Sequence, residues 1–305
     1  MDMMTGSLTG TAELAQEMDR LLARRGHLAP LIEAFRPLLL VREQILSGLP
    51  WDSEVIPLRV DPLSFHDGIP LIGHCGLFSP ADPGRELGLE VAAAIGSGFP
   101  KWEQDMKALA KALRDGRVDL FTLFSSAMPS DEEHLQALAR KLRIAPAIFA
   151  FFLQMARRIV LARRARDAAS LLARLAWRKG YCPVCGAFPM LSIVPERSGR
   201  LLHCSQCGHE WPFSWAICPW CERESPEEAN YIFVTDDPEE KAFICDHCKR
   251  YLLSAKRLGS AMQDGDLLAI GMAHLDVILQ LKGYSPMAAC PWNIFDDPDE
   301  ETPPC

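Results

Sequence analysis

The chain has 305 residues, 49% of them hydrophobic, with a formal net charge of −8 and a pI near 5.5. That length suits two folded units, the hydrophobic share excludes a disordered chain, and the acidic balance argues against nucleic acid as the main partner. The opening MDMMTGSLTGTAELAQEMDR has no basic n-region and no continuous apolar h-region, so it predicts no signal peptide. No apolar run reaches the roughly 18–20 residues of a membrane span. Ile144–Met155 comes nearest and is cut by Arg157 and Arg158. The expectation is a cytoplasmic protein without membrane insertion, in which paired thiols read as metal ligands rather than disulfides.

The first half is helical by pattern. Thr11–Arg24 spaces Leu14, Met18, Leu21 and Leu22 by three and four, and Gly26 signals a stop. Leu28–Leu46 continues the period, with Pro37 predicting a kink or an interruption. Residues 48–83 lose it; their prolines make a long ordered loop in which Trp51, Phe65, Leu71 and Ile72 are available to pack. Helices are predicted over Arg85–Ile95, Trp102–Leu113 and Val118–Ser125. The capping-box signature Ser130-Asp131-Glu132-Glu133 opens another over Asp131–Leu142. Pro146, at an N1-type position, starts the strongest helix, predicted to reach about Arg178. Its first part, with Ile148, Phe149, Phe151, Phe152 and Leu153, is apolar nearly all round and so should be buried. Its later part carries Arg157, Arg158, Arg163, Arg164, Arg166, Arg174 and Arg178. Those arginines either complement the helix dipole and cover apolar surface or form a basic docking face.

At Gly180 the period changes to short strands: Ala187–Ile193, Arg200–His203, Glu210–Phe213, Tyr231–Val234 and Lys241–Ile244, with charged turns at Pro195–Gly199 and Asp236–Glu240. A helix returns over Ser260–Lys282, and the acidic tail Asp296–Cys305 should fray. Within Tyr181–Tyr251 lie eight of the eleven cysteines, as four Cys-x-x-Cys knuckles: Cys182/Cys185, Cys204/Cys207, Cys218/Cys221 and Cys245/Cys248. Two thiolates three residues apart hold one ion from a single turn, and two such turns complete a tetrahedral four-sulfur site for zinc or iron. Eighteen residues separate Cys185 from Cys204 and twenty-three separate Cys221 from Cys245. Sequential pairing closes the shorter loops, giving Cys182, Cys185, Cys204 and Cys207 as one metal site and Cys218, Cys221, Cys245 and Cys248 as the other. Ribbons of about forty residues have too little core to fold alone, so the metal should supply much of their stability.

Gly186 and Gly208 follow the second cysteine of the first two knuckles, where positive φ is needed; Glu222 and Lys249 stand there in the others, predicting a looser second site. His203, His209 and His247 lie beside ligands as competing donors. Cys75, Cys290 and Cys305 stay outside this scheme, Cys75 as a packed small hydrophobe, and His66 and His74 lack a companion set for acid–base chemistry. Residues 179–259 carry nine Lys/Arg against eleven Asp/Glu, and two divalent four-thiolate sites add about −4, so the ribbons are poor phosphate binders.

These residues resemble the formate dehydrogenase accessory protein family, FdhE. The likeness is carried by Arg178-Lys179-Gly180-Tyr181-CPVCG-Ala187-Phe188-Pro189, by Arg200-Leu201-Leu202-His203-CSQC with Trp211 beyond it, and by CPWC and CDHC. Pro291-Trp292-Asn293-Ile294-Phe295 adds to it near the end. The resemblance implies a cytoplasmic factor needed to make respiratory formate dehydrogenase active, binding its catalytic subunit before export. It also implies rubredoxin-like iron at the two sites, zinc being the alternative, and a tendency to dimerise. The fold expected is multidomain: an all-α domain over residues 1–178, tandem rubredoxin-like (zinc-ribbon-like) modules over residues 179–215 and 216–259, and a C-terminal helix with acidic tail over residues 260–305. Sites closed by four ligands leave no position for a substrate, so a non-enzymatic docking factor is the leading reading. A rubredoxin-like or thiol–disulfide redox protein is the alternative. A zinc-dependent holdase lacks its Cys-x-x-Cys-x-Gly-x-Gly pattern here.

Overall fold

A computed structural model of the chain describes residues 5–56, 60–125, 132–195, 199–224, 231–234, 237–257 and 264–293. The capping box begins outside these residues, and most of the turn at Pro195–Gly199, Cys305 and the acidic tail also lie outside them. An N-terminal helical half is followed by a sheet that carries the cysteine knuckles, as the sequence pattern implies.

The helical half comprises α1 (Thr5–Arg24), α2 (Ala29–Gly48), α3 (Pro62–His66), α4 (Leu71–His74), α5 (Gly84–Gly98), α6 (Glu103–Arg114), α7 (Leu120–Ser125), α8 (Glu132–Leu142), α9 (Pro146–Asp167) and α10 (Ala169–Leu172). Pro37 does not interrupt α2, which runs through it to Gly48. α9 ends at Asp167, well short of Arg178. Ala168, fully buried, packs there with Phe65 and Leu71 of α3 and α4, so tertiary contact turns the chain where local propensity would continue the helix. No single helix among the described residues is long and apolar enough to cross a membrane.

The second half contains β1 (Pro189–Pro195), β2 (Leu201–Cys204), β3 (Glu210–Pro212), β4 (Tyr231–Val234), β5 (Asp237–Cys245) and β6 (Arg250–Arg257). It closes with α11 (Gly265–Gly271), α12 (Ala273–Leu281) and the two-residue β7 (Ser285–Pro286). The expected helix over Ser260–Lys282 is two helices that break at Met272. Gly271, just before the break, lies where an added Cβ would sit 3.0 Å from the Leu21 side chain of α1. Asp237–Glu240 belongs to β5 rather than to a turn. β6 has no counterpart among the strands expected from the sequence.

Each ribbon repeats one order: knuckle, two antiparallel strands, knuckle, strand. The sheet order is β3-β2-β1-β6-β5-β4, with β7 beside β6. The ribbons are joined by the parallel pairing of β1 with β6, in the register Leu191↔Leu253 and Ile193↔Ala255. One face of this joint enters the helical core: Met190, Leu191, Ile193, Tyr251 and Leu253 share a buried cluster with Phe35, Val91, Phe149 and Phe152. A second cluster surrounds the cysteines, with Leu77, Leu161, Val184, Leu202, Trp211, Phe243 and Leu252.

Candidate metal centre

Each knuckle is the same tight turn. The amide after the second cysteine returns to the carbonyl of the first: Gly186 to Cys182 at 3.0 Å, Gly208 to Cys204 at 3.2 Å and Glu222 to Cys218 at 3.0 Å. The residue at that place is left-handed in all four knuckles, with φ of 76° at Gly186, 66° at Gly208, 56° at Glu222 and 53° at Lys249. The second ribbon therefore adopts the turn of the first despite lacking its glycines. A left-handed L-residue costs roughly 1–2 kcal/mol. The turn aims amides at sulfur: Val184 N–H donates to Cys182 Sγ at 3.4 Å, and Gln206 and Cys207 donate to Cys204 Sγ at 3.4 and 3.5 Å.

The structure gathers the eight cysteines into two groups, Cys182, Cys185, Cys204 and Cys207, and Cys218, Cys221, Cys245 and Cys248, each with its sulfurs within 4.8 Å of one another. In the first, Cys182–Cys207 is 3.4 Å, Cys185–Cys204 3.5 Å and Cys185–Cys207 3.7 Å. In the second, Cys218–Cys248 is 3.9 Å and Cys221–Cys245 3.8 Å. A tetrahedron of sulfurs 2.3 Å from a central ion has edges of about 3.8 Å. Both groups therefore have the size and donor set to hold a metal ion.

Their protonation supports the same fit. Burial pushes Cys182 and Cys207 well above the usual thiol range. It opposes ionisation of Cys204 too, but hydrogen bonds from Cys182, Cys185 and Cys207 hold that thiol well below it. In the second group burial raises Cys218 and pushes Cys248 up to about 11. Cys245, though also disfavoured by burial, is held low by the Cys248 and His247 amides. Four thiolates packed this closely require a cation among them.

The surroundings lock this geometry to the helical half. Leu71 and Ile72, opening α4, donate their amides to the Pro183 and Val184 carbonyls of the first knuckle at 2.8 and 3.0 Å. Tyr181 Oη donates to the Gly68 carbonyl at 2.7 Å. The long loop over residues 48–83 is therefore a clamp on that knuckle. Between the ribbons, a Cβ on Gly180 would lie 1.9 Å from the Pro219 carbonyl, so the chain entering the first knuckle rests directly on the third.

None of the neighbouring histidines joins a sulfur group. His203 turns away to Glu210 at 3.2 Å and to the buried Asp266 at 3.4 Å, which, against the penalty of burial, raises it to about 9. His209 lies parallel to Trp211, and burial lowers it; His247 is exposed. Cys75 donates to the Leu71 carbonyl and packs at the edge of the cysteine cluster, and burial raises its thiol. Cys290 is buried beside Met190 Sδ at 3.5 Å. His74 meets the Ile69 carbonyl at 3.2 Å, and His66 is exposed.

Sequence reasoning missed Asp266. It accepts from Arg42 of α2 at 2.6 Å and from Arg158 of α9 at 2.8 Å, and it faces His203 of β2. Arg42 also pairs with Asp264, the N-cap of α11, and Glu210 of β3 accepts both arms of Arg257 at 2.7 and 2.8 Å. No one-dimensional pattern connects positions so far apart. The arginines of α9 are largely consumed in the same way: Arg158 by Asp266, Arg163 by Asp167, Arg164 by Asp82 and Arg166 by Glu43. Arg158 and Arg164 hold the interior, while Arg166, Arg174 and Arg178 are exposed.

Fold and site together define a helical protein that carries a fused pair of four-cysteine ribbons, each able to hold a metal ion. The family model described as FdhE, central domain, matches residues 181–214, which span the first ribbon. Similar curated relatives include an FdhE homolog of Shewanella sp. (strain MR-4), 25% identical over 61% of this chain and 60% of its own. Another, from Stutzerimonas stutzeri (strain A1501), is 34% identical over 35% of this chain and 36% of its own. The matched region thus spans under two thirds of those relatives. The crystal structure of the FdhE protein from Pseudomonas aeruginosa shares the fold, with a TM-score of 0.56 and 21% identity over 91% of this chain and 94% of that one. Together these comparisons support the FdhE family.

Proposed function

We propose that this chain is a cytoplasmic maturation factor that docks on the catalytic subunit of respiratory formate dehydrogenase and is needed for its activity. In this reading Cys182, Cys185, Cys204 and Cys207 hold one iron and Cys218, Cys221, Cys245 and Cys248 a second. The observation that carries it is the closure of both sites: four sulfurs at tetrahedral spacing leave no open position where a substrate would bind. The likeness to FdhE proteins suggests the client. A second reading, electron transfer to the partner, is favoured by one observation: Cys185, Cys221 and Cys248 are only partly buried, so each site has an edge near solvent. Zinc in place of iron abolishes that activity and leaves docking intact.

The test is affinity capture of the catalytic subunit by the full chain and by its Cys182→Ser variant, with metal content and visible spectrum recorded on protein isolated with and without oxygen. Capture by the wild type, lost together with the first site's metal in C182S, is expected. Absence of capture by the fully loaded wild type overturns the docking reading. A colourless zinc protein that still supports maturation overturns electron transfer.

A further inference from the structure

Among the described residues three arginines are buried: Arg158, Arg164 and Arg200. The first two meet carboxylates, Asp266 and Asp82. Arg200 meets none among the described residues. It precedes β2 and is 1% exposed. Its Nε donates to Ser192 Oγ at 3.1 Å and its Nη1 to the Ser214 carbonyl at 3.3 Å, while Nη2 has no partner. The guanidinium lies over the rings of Phe243 and Trp215, at 5.2 and 5.7 Å from their centres. Phe243 stands two residues before Cys245 on β5, and it packs in the same cluster as Cys218 and Cys245. An isolated buried cation is costly, so a charge of opposite sign must offset it. Burial disfavours the charged guanidinium, and the groups opposing that effect are Tyr231 and Cys218. The second sulfur group shares a buried cluster with Phe243, the ring beneath this guanidinium, and is anionic once four thiolates hold a divalent ion.

The first sulfur group has a parallel. Arg157 is the one arginine between Arg157 and Arg166 on α9 with no carboxylate at ion-pair distance among the described residues. It is half-buried, its Nε has no partner among the described residues, and it lies 5.4 Å from the centre of the Phe78 ring, which packs against the same cluster as Cys185.

We infer that Arg200 and Arg157 are the counter-charges of the second and first metal sites, each left without a carboxylate so that it offsets the net negative charge of a metal–tetrathiolate. The inference rests on the metal reading above. Four thiolates around a divalent ion leave about −2 per site, which a guanidinium in a low-dielectric wall stabilises more strongly than it does four thiols. Both arginines are positioning residues: they touch no substrate and act through the sulfurs. For iron, each also favours the reduced ion, whose site carries one more negative charge.

The experiment is chelator competition on the full-length protein loaded with zinc(II), counting metal equivalents per chain, with circular dichroism as the record of fold. In R200M an apolar side chain of similar length fills the aromatic slot. One of the two equivalents should then be held about 10–100-fold less tightly, the size of an outer-shell loss. R200K, which keeps the charge, should return to within a few-fold of wild type. R157M should weaken one equivalent in the same way. In the iron form, a tenfold loss of preference for the reduced over the oxidised ion lowers the reduction potential by about 59 mV. A folded R200M that retains both equivalents at wild-type affinity overturns the role of Arg200, and so does an R200K as weak as R200M. Should R200M not fold, R157M, at a half-buried position, decides the inference, and wild-type affinity there overturns it. A wild type that binds no zinc overturns the metal reading itself and this inference with it.

Discussion

At Asp276, opening α12, burial pushes the carboxyl up to about 7, although it accepts a hydrogen bond from Tyr251 Oη at 2.5 Å. Its other oxygen is buried without a partner among the described residues. Because the folded state holds this proton and an unfolded carboxyl releases it near pH 4, stability is full below that pH and is lost as pH rises through 7. Asp276→Asn should match wild type near pH 4 and exceed it above pH 7 by up to about 4 kcal/mol. Urea unfolding of both proteins from pH 4 to 8 measures this, the difference cancelling any pH dependence of the sulfur sites. A constant gap across the range would contradict the assignment. At this scale the sequence was most legible where chemistry is local. The eight cysteines and the left-handed turns at Gly186 and Gly208 are visible in the spacing itself. The same turn at Glu222 and Lys249 was not, because strand pairing and the cysteine cluster impose it on residues that do not prefer it. Asp276 was hidden for a similar reason: its burial depends on β6, which lies in another part of the chain.

Between elements, the joints are polar as well as apolar. α2, α9, β2 and α11 meet at Asp266, where the two guanidiniums and His203 hold the carboxylate well below its ordinary range against the penalty of its burial. A carboxylate matched by so many donors becomes critical once any member is removed, since the remaining buried charges lose their partner. Asp266→Asn keeps the shape and removes the charge; it should lower unfolding free energy by about 3–5 kcal/mol in urea titration. A loss below about 1 kcal/mol, the range of an exposed pair, would show that water already screens the network. Elsewhere in the helical half, α5, α6 and α8 were legible because each keeps one apolar face. β6 was not: Tyr251 to Ala255 are all buried, so the alternation that marks a strand is absent. The early end of α9 was equally invisible, as Ala168 is an ordinary helix former whose burial against Phe65 and Leu71 decides the matter.

At the scale of the whole molecule, the two ribbons are coupled to the helices through one sheet. The strand that joins them, β1, buries Leu191 and Ile193 in the core that also contains Phe149 and Phe152, while β6 leads directly out of the last knuckle into the same core through Leu253. Neither the parallel register nor the shared core can be read from spacing, which counts residues within a ribbon and is silent about its neighbours. The consequence concerns metal removal. If the ribbons hung from the helical body as independent beads, a chelator would unfold them and leave the helices melting where they did before. With a shared core, loss of the ion removes the closure of a knuckle, frees β1 and β6, and exposes the apolar face on which the helices pack. Thermal melting followed by helical circular dichroism should therefore show one transition in the loaded protein. Its midpoint should fall by ten degrees or more, roughly, after chelation, given that each kcal/mol shifts the melting temperature of a chain this size by about 2–4 °C. Tryptophan fluorescence, which reports Trp211 beside the first site and Trp292 in the helical core, should move with it. A helical midpoint unchanged by chelation, with only the fluorescence transition displaced, would mean that the sheet does not transmit the state of the metal sites to the body.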